Sequence, residues 1–285
     1  MTKNLLDLSG KIDRLTVRLL KTVDDVAESF NIPFFVVGAI ARDIILSQGY
    51  DIETGRATQD IDLAVQISEW NGYEQLKEGL IATGRFINDK KQAQRLIYDK
   101  FYPIDIIPFG LVSEPNGLFC WPSEHDTIFN TLGFDQAYQN SITVRMQAEP
   151  VIDIQFVSLP GLAFLKLISW NDNQPRRSKD AYDLLLLMRT YLDAGNQERL
   201  WDEEADLMVE DFDYVRAGSR LLGRDIAKIL DPDIKETIVH ILDRETEEQT
   251  FYRLVENMIG IGAESSDFEE ALQLLKDLKT GILDR

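Results

Sequence analysis

Acidic side chains interrupt two short segments that otherwise have the composition of buried strands. Asp60 and Asp62 flank Ile61 at the start of one apolar run, and Asp105 lies inside another, Tyr102–Ile107. A buried strand is a costly place for a carboxylate unless the group is paired or binds a cation. Because strand side chains alternate between faces, Asp60 and Asp62 should point the same way, roughly 7 Å apart along the chain.

If Asp105 lies on a neighbouring strand, the three carboxylates form an oxygen-rich pocket and repel one another unless a hard cation lies between them. Mg²⁺ is such a cation, and it commonly binds together with nucleotide phosphates. The alternative for Asp60 is that it belongs to the preceding loop and caps a turn. Taken alone, the two interpretations weigh evenly, but two acidic intrusions on separate strands favour a shared metal site.

Composition excludes several other kinds of site. One cysteine and two histidines exclude an intramolecular disulfide framework and make a zinc or histidine-based metal centre unexpected. The net charge of −19 argues against broad binding to a nucleic-acid backbone, although it leaves room for a local basic site. The first residues lack the apolar core of a signal peptide, and no apolar run is long enough to cross a bilayer. We therefore expect a cytoplasmic protein with no membrane partner.

Hydrophobic periodicity predicts an α+β fold: a mixed sheet flanked by helices, then a mostly helical C-terminal part. Helices and strands alternate over about the first 110 residues, and a further hairpin follows. From Pro160 onward the period is helical. We therefore expect a domain at residues 1–157 and a helical domain at 158–285. The predicted helices before the boundary are 9–30, capped by Ser9, 39–48 and 72–82. The predicted strands are 34–37, 60–66, 96–98, 102–107, 142–146 and 151–157.

The first strand ends at Gly38-Ala39, where a helix opens. The start of a helix leaves backbone N–H groups unpaired, and with the helix dipole they can hold a phosphate. Gly38 allows close backbone approach. Arg42 follows one turn later and can reach a phosphate or a neighbouring acid; the alternative is an ordinary ion pair. Strand–glycine–helix turns are common, so this signal is weak by itself.

The ordered set of Gly38-Ala39, Asp60-x-Asp62 and Asp105 resembles the nucleotidyltransferase superfamily related to DNA polymerase β. The resemblance implies a nucleotidyltransferase-type sheet. It also implies that Asp60 and Asp62 bind Mg²⁺, that Asp105 helps to hold the catalytic metal and activates the attacking hydroxyl, and that the helix start cradles a triphosphate. The chain departs from the family at Ala39, which lacks the serine hydroxyl that often contacts a phosphate.

The second half contains a lysine helix, Ser158–Trp170, and the motif Lys179-Asp180-Ala181-Tyr182-Asp183-Leu184. Together they resemble the AbiEii-like toxin nucleotidyltransferases. The resemblance implies that Lys166 contacts the nucleotide, that an acid of the motif is functional, with Asp183 favoured over Asp180, and that the helical domain completes the nucleotide cleft. A lone ammonium among leucines needs an acceptor. Triphosphate is one such acceptor, and a salt bridge to Asp183 is the alternative.

Two groups of basic residues are weaker candidates. Arg176, Arg177 and Lys179 form a dense cluster before the motif, and Arg177 is a candidate triphosphate contact. The alternative is that these loop charges are simply solvated. Lys90, Lys91 and Arg95 form a basic cluster in the first half, and we expect them to be solvated for the same reason.

These features favour a Mg²⁺-dependent enzyme that transfers NMP from an NTP such as ATP to a hydroxyl. The resemblance implies a toxin of a toxin–antitoxin or phage-defence system that acts on RNA such as tRNA and has a cognate antitoxin. One alternative is an antibiotic-type enzyme with a small-molecule acceptor. Another is a catalytically weak or inactive member that only binds, which Ala39 favours mildly and the intact Asp60, Asp62 and Asp105 oppose.

Overall fold

The structure is a computed structural model in which the chain divides into two compact units, Met1–Ser158 and Leu159–Arg285. For residues 124–127 only the backbone is described. In the part of the chain that the structure describes, no helix has the length and apolar character needed to span a membrane. The described residues are 5–55, 58, 60–114, 116–121, 124–172, 177–209, 211–248, 251–260 and 262–284.

Among the described residues of the first unit, eight strands form one mixed sheet in the order β1-β9-β10-β2-β3-β6-β5-β4. A separate hairpin pairs β7 with β8. The strands are β1 (Leu5–Asp7), β2 (Phe34–Val37), β3 (Ile61–Gln66), β4 (Phe86–Asn88), β5 (Arg95–Tyr98), β6 (Tyr102–Phe109), β7 (Leu118–Trp121), β8 (Glu124–Asn130), β9 (Ile142–Gln147) and β10 (Ile152–Phe156).

The centre of this sheet is built from the apolar runs that the sequence predicts as strands. β2 pairs antiparallel with β3, and β3 pairs parallel with β6. All four residues of β2 are buried, as are Leu63, Ala64 and Val65 of β3, so both faces of these strands are covered. β6 continues through Pro108 to Phe109, beyond the predicted end, because Pro108 pairs in parallel register with Val65.

The helices of this unit are α1 (Arg14–Ser29), α2 (Gly38–Asp43), α3 (Trp70–Ala82) and α4 (Phe134–Gln139). α1 begins later than predicted. Its cap is Asp13 rather than Ser9, because the Asp13 carboxylate accepts hydrogen bonds from the backbone N–H groups of Leu15 and Thr16 at 3.0 and 2.9 Å. α2 continues as a π-helical segment, Ile44–Gly49.

The second unit is helical, so the predicted change from strands to helices is confirmed. α5 carries buried side chains around most of its circumference, among them Leu162, Phe164, Leu167 and Trp170, as expected for a central helix. The helices are α5 (Leu159–Asp172), α6 (Ser178–Thr190), α7 (Tyr214–Ile229), α8 (Pro232–Thr246), α9 (Arg253–Ile259) and α10 (Ser265–Leu283).

Candidate active site

Strand register brings two of the predicted acids into one row. Asp62 on β3 is the parallel partner of Asp105 on β6, and Asp105 is in turn the antiparallel partner of Arg95 on β5. Side chains at directly paired positions lie on the same face of a sheet. Asp60 lies one residue before β3. Asp62 and Asp105 therefore lie on one face of the sheet.

Arg95 binds two of these acids. Its Nε and Nη2 donate to Asp105 Oδ1 and Oδ2 at 2.7 and 2.8 Å, and its Nη2 also donates to Asp60 Oδ2 at 3.2 Å. The Asp60 side chain is 48% exposed, whereas those of Arg95 and Asp105 are 21% and 15% exposed. The hydrogen bonds to Asp105 and the nearby negative charges outweigh burial and raise the pKa of Arg95 further above its ordinary value.

The prediction of a solvated Arg95 is therefore wrong. Arg95 is the first residue of β5, which lies next to the edge strand β4. It donates two parallel hydrogen bonds to one carboxylate, which is the geometry that a guanidinium favours. The sequence does show a basic residue at the start of an apolar run, which indicates that Arg95 begins a strand. It does not identify the acid that Arg95 binds, because that partner depends on the register of β5 against β6.

Gly38 lies directly against the Asp62 carboxylate. Val37, at the end of β2, pairs with Asp62, and the chain then turns into α2 at Gly38 with φ of +74°. A Cβ at Gly38 would lie 2.0 Å from Asp62 Oδ2. The glycine is therefore required both by the backbone conformation and by the space that the carboxylate occupies. The glycine turn and the acidic strand, read separately from the sequence, form one site.

Arg42 has a different environment from the one proposed for a phosphate contact. Its side chain is fully buried, and its Nε and Nη2 donate to Asp43 Oδ1 at 2.8 and 2.5 Å. The structure thus shows the ion pair that the sequence left as the alternative, and a role for Arg42 in phosphate contact stays a prediction. Ala39, on the first turn of α2, is also buried.

The donor set of this site fits Mg²⁺ in its chemistry. Asp60, Asp62 and Asp105 offer carboxylate oxygens, which are the hard ligands that Mg²⁺ prefers. In the described part of the chain, however, no group of three or more His, Cys, Asp and Glu side chains is arranged to hold a metal ion. Arg95 holds both oxygens of Asp105 and one oxygen of Asp60. The Mg²⁺ site stays a prediction.

In the second unit, Lys166 on α5 binds both acids of the motif on α6. Its Nζ lies 2.6 Å from Asp180 Oδ1 and 2.8 Å from Asp183 Oδ2, and Ser169 Oγ donates to Asp180 Oδ2 at 3.1 Å. The side chains of Lys166, Asp180 and Asp183 are 11%, 8% and 0% exposed. Burial by itself would lower the pKa of Lys166, but the charges and hydrogen bonds of the two aspartates outweigh it and raise that pKa.

The salt bridge that the sequence left as an alternative for Lys166 is thus present, and it includes Asp180 as well as Asp183. A role for Lys166 or Asp183 in nucleotide contact stays a prediction. Arg177, at the start of α6, is more than half exposed and lies 3.6 Å from Asp180 Oδ2. Its neighbour Arg176 lies outside the described residues.

Comparison with known proteins identifies one family. Residues 18–273, most of the chain, match the model described as "Nucleotidyl transferase AbiEii toxin, Type IV TA system". A search of curated proteins finds no match.

Several solved structures are distantly similar, including the following two. One is ANT(2")-Ia in complex with adenylyl-2"-tobramycin, at 13% identity and a TM-score of 0.37, covering 67% of this chain and 96% of that one. The other is a CCA-adding enzyme with ATP, at 15% identity and a TM-score of 0.34, covering 92% of this chain and 66% of that one. Similarity at this level supports no conclusion about substrate.

Proposed function

The chain belongs to the nucleotidyl transferase AbiEii toxin family, and from this premise we propose that the row of Asp60, Asp62 and Asp105 is its reaction centre. The family confirms the predicted reaction class, nucleotidyl transfer. The observation that supports the placement of the centre is the register that pairs Asp62 with Asp105 beside Gly38. Both acids interrupt strands that are otherwise mostly hydrophobic.

In the proposed reaction an acceptor hydroxyl attacks the α-phosphorus of an NTP. A new oxygen–phosphorus bond forms, the bond to the β-phosphate breaks, and pyrophosphate leaves. Asp105 accepts or orients the hydroxyl proton, and together with Asp60 and Asp62 it would provide oxygen ligands for Mg²⁺. Bound Mg²⁺ would supply charge neutralisation of the leaving pyrophosphate and activation of the attacking oxygen. The backbone at Gly38 and Ala39 binds the triphosphate, and Lys166, Arg177 and Asp183 are retained as nucleotide-side candidates.

We further propose that the acceptor is a hydroxyl of RNA such as tRNA, and that the chain acts as a cytoplasmic toxin opposed by a cognate antitoxin. The family description supports the toxin and its antitoxin, and the choice of RNA as acceptor follows the resemblance of the sequence to toxins of this kind. The second candidate is a small-molecule acceptor of the antibiotic type. The net charge of −19 favours it, because a strongly acidic protein repels a long phosphate backbone.

The test compares the whole chain with its Asp62→Asn and Asp153→Asn variants. Asp153, on β10, forms an ion pair with Arg145 on β9 in the same sheet. Asp153→Asn therefore serves as the control for the removal of a carboxylate from the sheet. Calorimetric titration with each NTP, with and without Mg²⁺, measures binding; transfer of radiolabelled NMP to total RNA and to aminoglycosides identifies the acceptor.

We expect Asp62→Asn to abolish Mg²⁺-dependent NTP binding and transfer with little loss of stability, because asparagine keeps the size of the side chain and its capacity for hydrogen bonds and removes one negative charge from the acidic row. Asp153→Asn should keep both activities. Unchanged NTP binding in a clearly destabilised Asp62→Asn variant would show that Asp62 is structural. Transfer to RNA alone would support the toxin, and transfer to an aminoglycoside alone would support the second candidate.

A further inference from the structure

Arg95 lies in the proposed reaction centre but takes no part in the reaction described above. Its guanidinium donates three hydrogen bonds to carboxylates that the reaction needs, two to Asp105 and one to Asp60. These are the two acids whose oxygens would have to turn toward a metal ion or an attacking hydroxyl.

The guanidinium allows acids to lie close together on one sheet face without an external cation. Carboxylates at paired strand positions repel each other, and a nearby positive charge removes that repulsion. Arg95 provides this charge from the neighbouring strand, at the position paired with Asp105. An arginine also stays charged at every attainable pH, so the neutralisation does not depend on solution conditions.

A divalent cation on the same carboxylates would lie within a few ångström of the guanidinium. Two positive charges at such a distance repel strongly where water is partly excluded. The two cations therefore compete for one set of oxygens. The side chains of Asp60, Arg95 and Asp105 are 48%, 21% and 15% exposed, so solvent reaches all three, and the pair with Asp60 opens most easily.

We propose that Arg95 is an internal counter-cation that holds Asp60 and Asp105 until a divalent cation replaces it, and that this exchange sets the metal concentration at which the site loads. The inference rests on the proposed function, because it requires the metal site of Asp60, Asp62 and Asp105. It goes further by giving Arg95 two roles, which are to keep the site ordered before loading and to weaken its affinity for metal.

The experiment titrates Mn²⁺, as a probe for Mg²⁺, into the whole chain without nucleotide, and follows free Mn²⁺ by electron paramagnetic resonance. Thermal unfolding is recorded in EDTA and in Mg²⁺. The variants are Arg95→Ala, Arg95→Gln, Asp62→Asn and Arg145→Ala. Arg145 is a matched control, because it also forms a bidentate cross-strand pair in this sheet, donating to Asp153 at 2.9 and 2.9 Å, away from the acidic row.

We expect both Arg95 variants to bind Mn²⁺ at least about fivefold more tightly than the wild type, the lower end of the usual coupling between linked equilibria. In EDTA their unfolding temperatures should be lower than that of the wild type, and Mg²⁺ should raise those temperatures by more than it raises the wild-type value. Arg145→Ala should keep wild-type Mn²⁺ affinity. If Arg95→Ala does not fold, Arg95→Gln, which keeps a polar side chain of moderate length, gives the same comparison.

In one outcome the wild type binds Mn²⁺, Asp62→Asn abolishes that binding, and the Arg95 variants bind Mn²⁺ no more tightly than the wild type. This outcome would overturn the inference and leave the proposed function intact. In another outcome the wild type binds no Mn²⁺, or the wild type and Asp62→Asn bind it with equal affinity. This outcome would overturn both the metal site of the proposed function and the inference.

Discussion

One cation and two acids meet in each unit of the chain, and the two groups differ in how much water reaches them. In the first unit Arg95 binds Asp105 and the half-exposed Asp60 on a sheet face. In the second unit Lys166 binds Asp180 and Asp183 between α5 and α6, where all three side chains are nearly or fully buried.

The difference in burial implies a difference in role. A buried ion pair is expensive to separate, because each partner left behind keeps an uncompensated charge away from water. A partly exposed pair contributes little to stability and can exchange its partner for a cation from solution. We therefore assign the Lys166 group mainly to folding and the Arg95 group to ligand exchange.

The largest expected effect follows from removing the buried cation. Lys166→Ala leaves Asp180 and Asp183 buried without their partner, so the free energy of unfolding should fall by about 3–5 kcal/mol. Arg95→Ala should cost less than Lys166→Ala, because water reaches the half-exposed Asp60 and part of the Arg95–Asp105 pair and can solvate the carboxylates left behind. Urea unfolding of both variants measures the two losses side by side.

NTP titration of the same Lys166→Ala protein tests its predicted role at the nucleotide. If Lys166 donates a charge-assisted hydrogen bond to the triphosphate, NTP binding should weaken by about 1.5–3 kcal/mol. A variant of near wild-type stability with NTP binding weakened by that amount would reverse the assignment made for the second unit.

An intermediate effect is expected at Gly38, and it sharpens the claim that the first unit holds a ligand site. Gly38→Ala forces a side chain into the left-handed region, at a cost of about 1–3 kcal/mol, and also displaces the Asp62 carboxylate. Gly84→Ala is the control, because Gly84 has φ of +75° but no atom within 4 Å of the added Cβ.

Unfolding experiments and Mg²⁺-dependent NTP titrations on both glycine variants separate the two contributions. Gly38→Ala should lose NTP binding, while Gly84→Ala should show the backbone cost alone and bind normally. Equal NTP affinity in the two variants would mean that the contact between Gly38 and Asp62 does not shape the binding site.

The smallest effect is a dependence on alkaline pH. Because the aspartates raise the pKa of Lys166 in the folded state, its stabilisation is fully present below the ordinary lysine pKa of 10.5 and is lost as the pH rises through the folded value. The difference in unfolding free energy between wild type and Lys166→Met should therefore shrink above that pH.

The difference in unfolding free energy between wild type and Arg95→Ala should stay constant over the same alkaline pH range, because arginine does not lose its proton there. Urea unfolding at pH values from about 8 to about 11 measures both differences. Tyrosines with a raised pKa, such as Tyr191, are present in both proteins. Their contribution therefore cancels in the difference between the unfolding free energies of wild type and variant. A Lys166 difference that stays constant or grows toward high pH would contradict the assigned ion pair.

Local patterns in the sequence determined a large part of this protein. The apolar runs around Asp62 and Asp105 predicted strands, and alternation along a strand predicted the face on which each carboxylate lies. The loss of strand signals after Ser158 predicted the helical second part. Each of these conclusions depends on residues only a few positions apart, and for that reason each could be drawn without knowing which elements are neighbours in space.

Partner choice, by contrast, was decided only by the tertiary structure. Arg95 was predicted to be solvated, and its pairing with Asp105 follows from the register of β5 on β6. The sequence offered Lys166 a triphosphate or an aspartate as acceptor, and the packing of α5 on α6 supplied two aspartates. A charged side chain takes whichever opposite charge the fold brings within about 3 Å, and that distance depends on residues far apart in the chain.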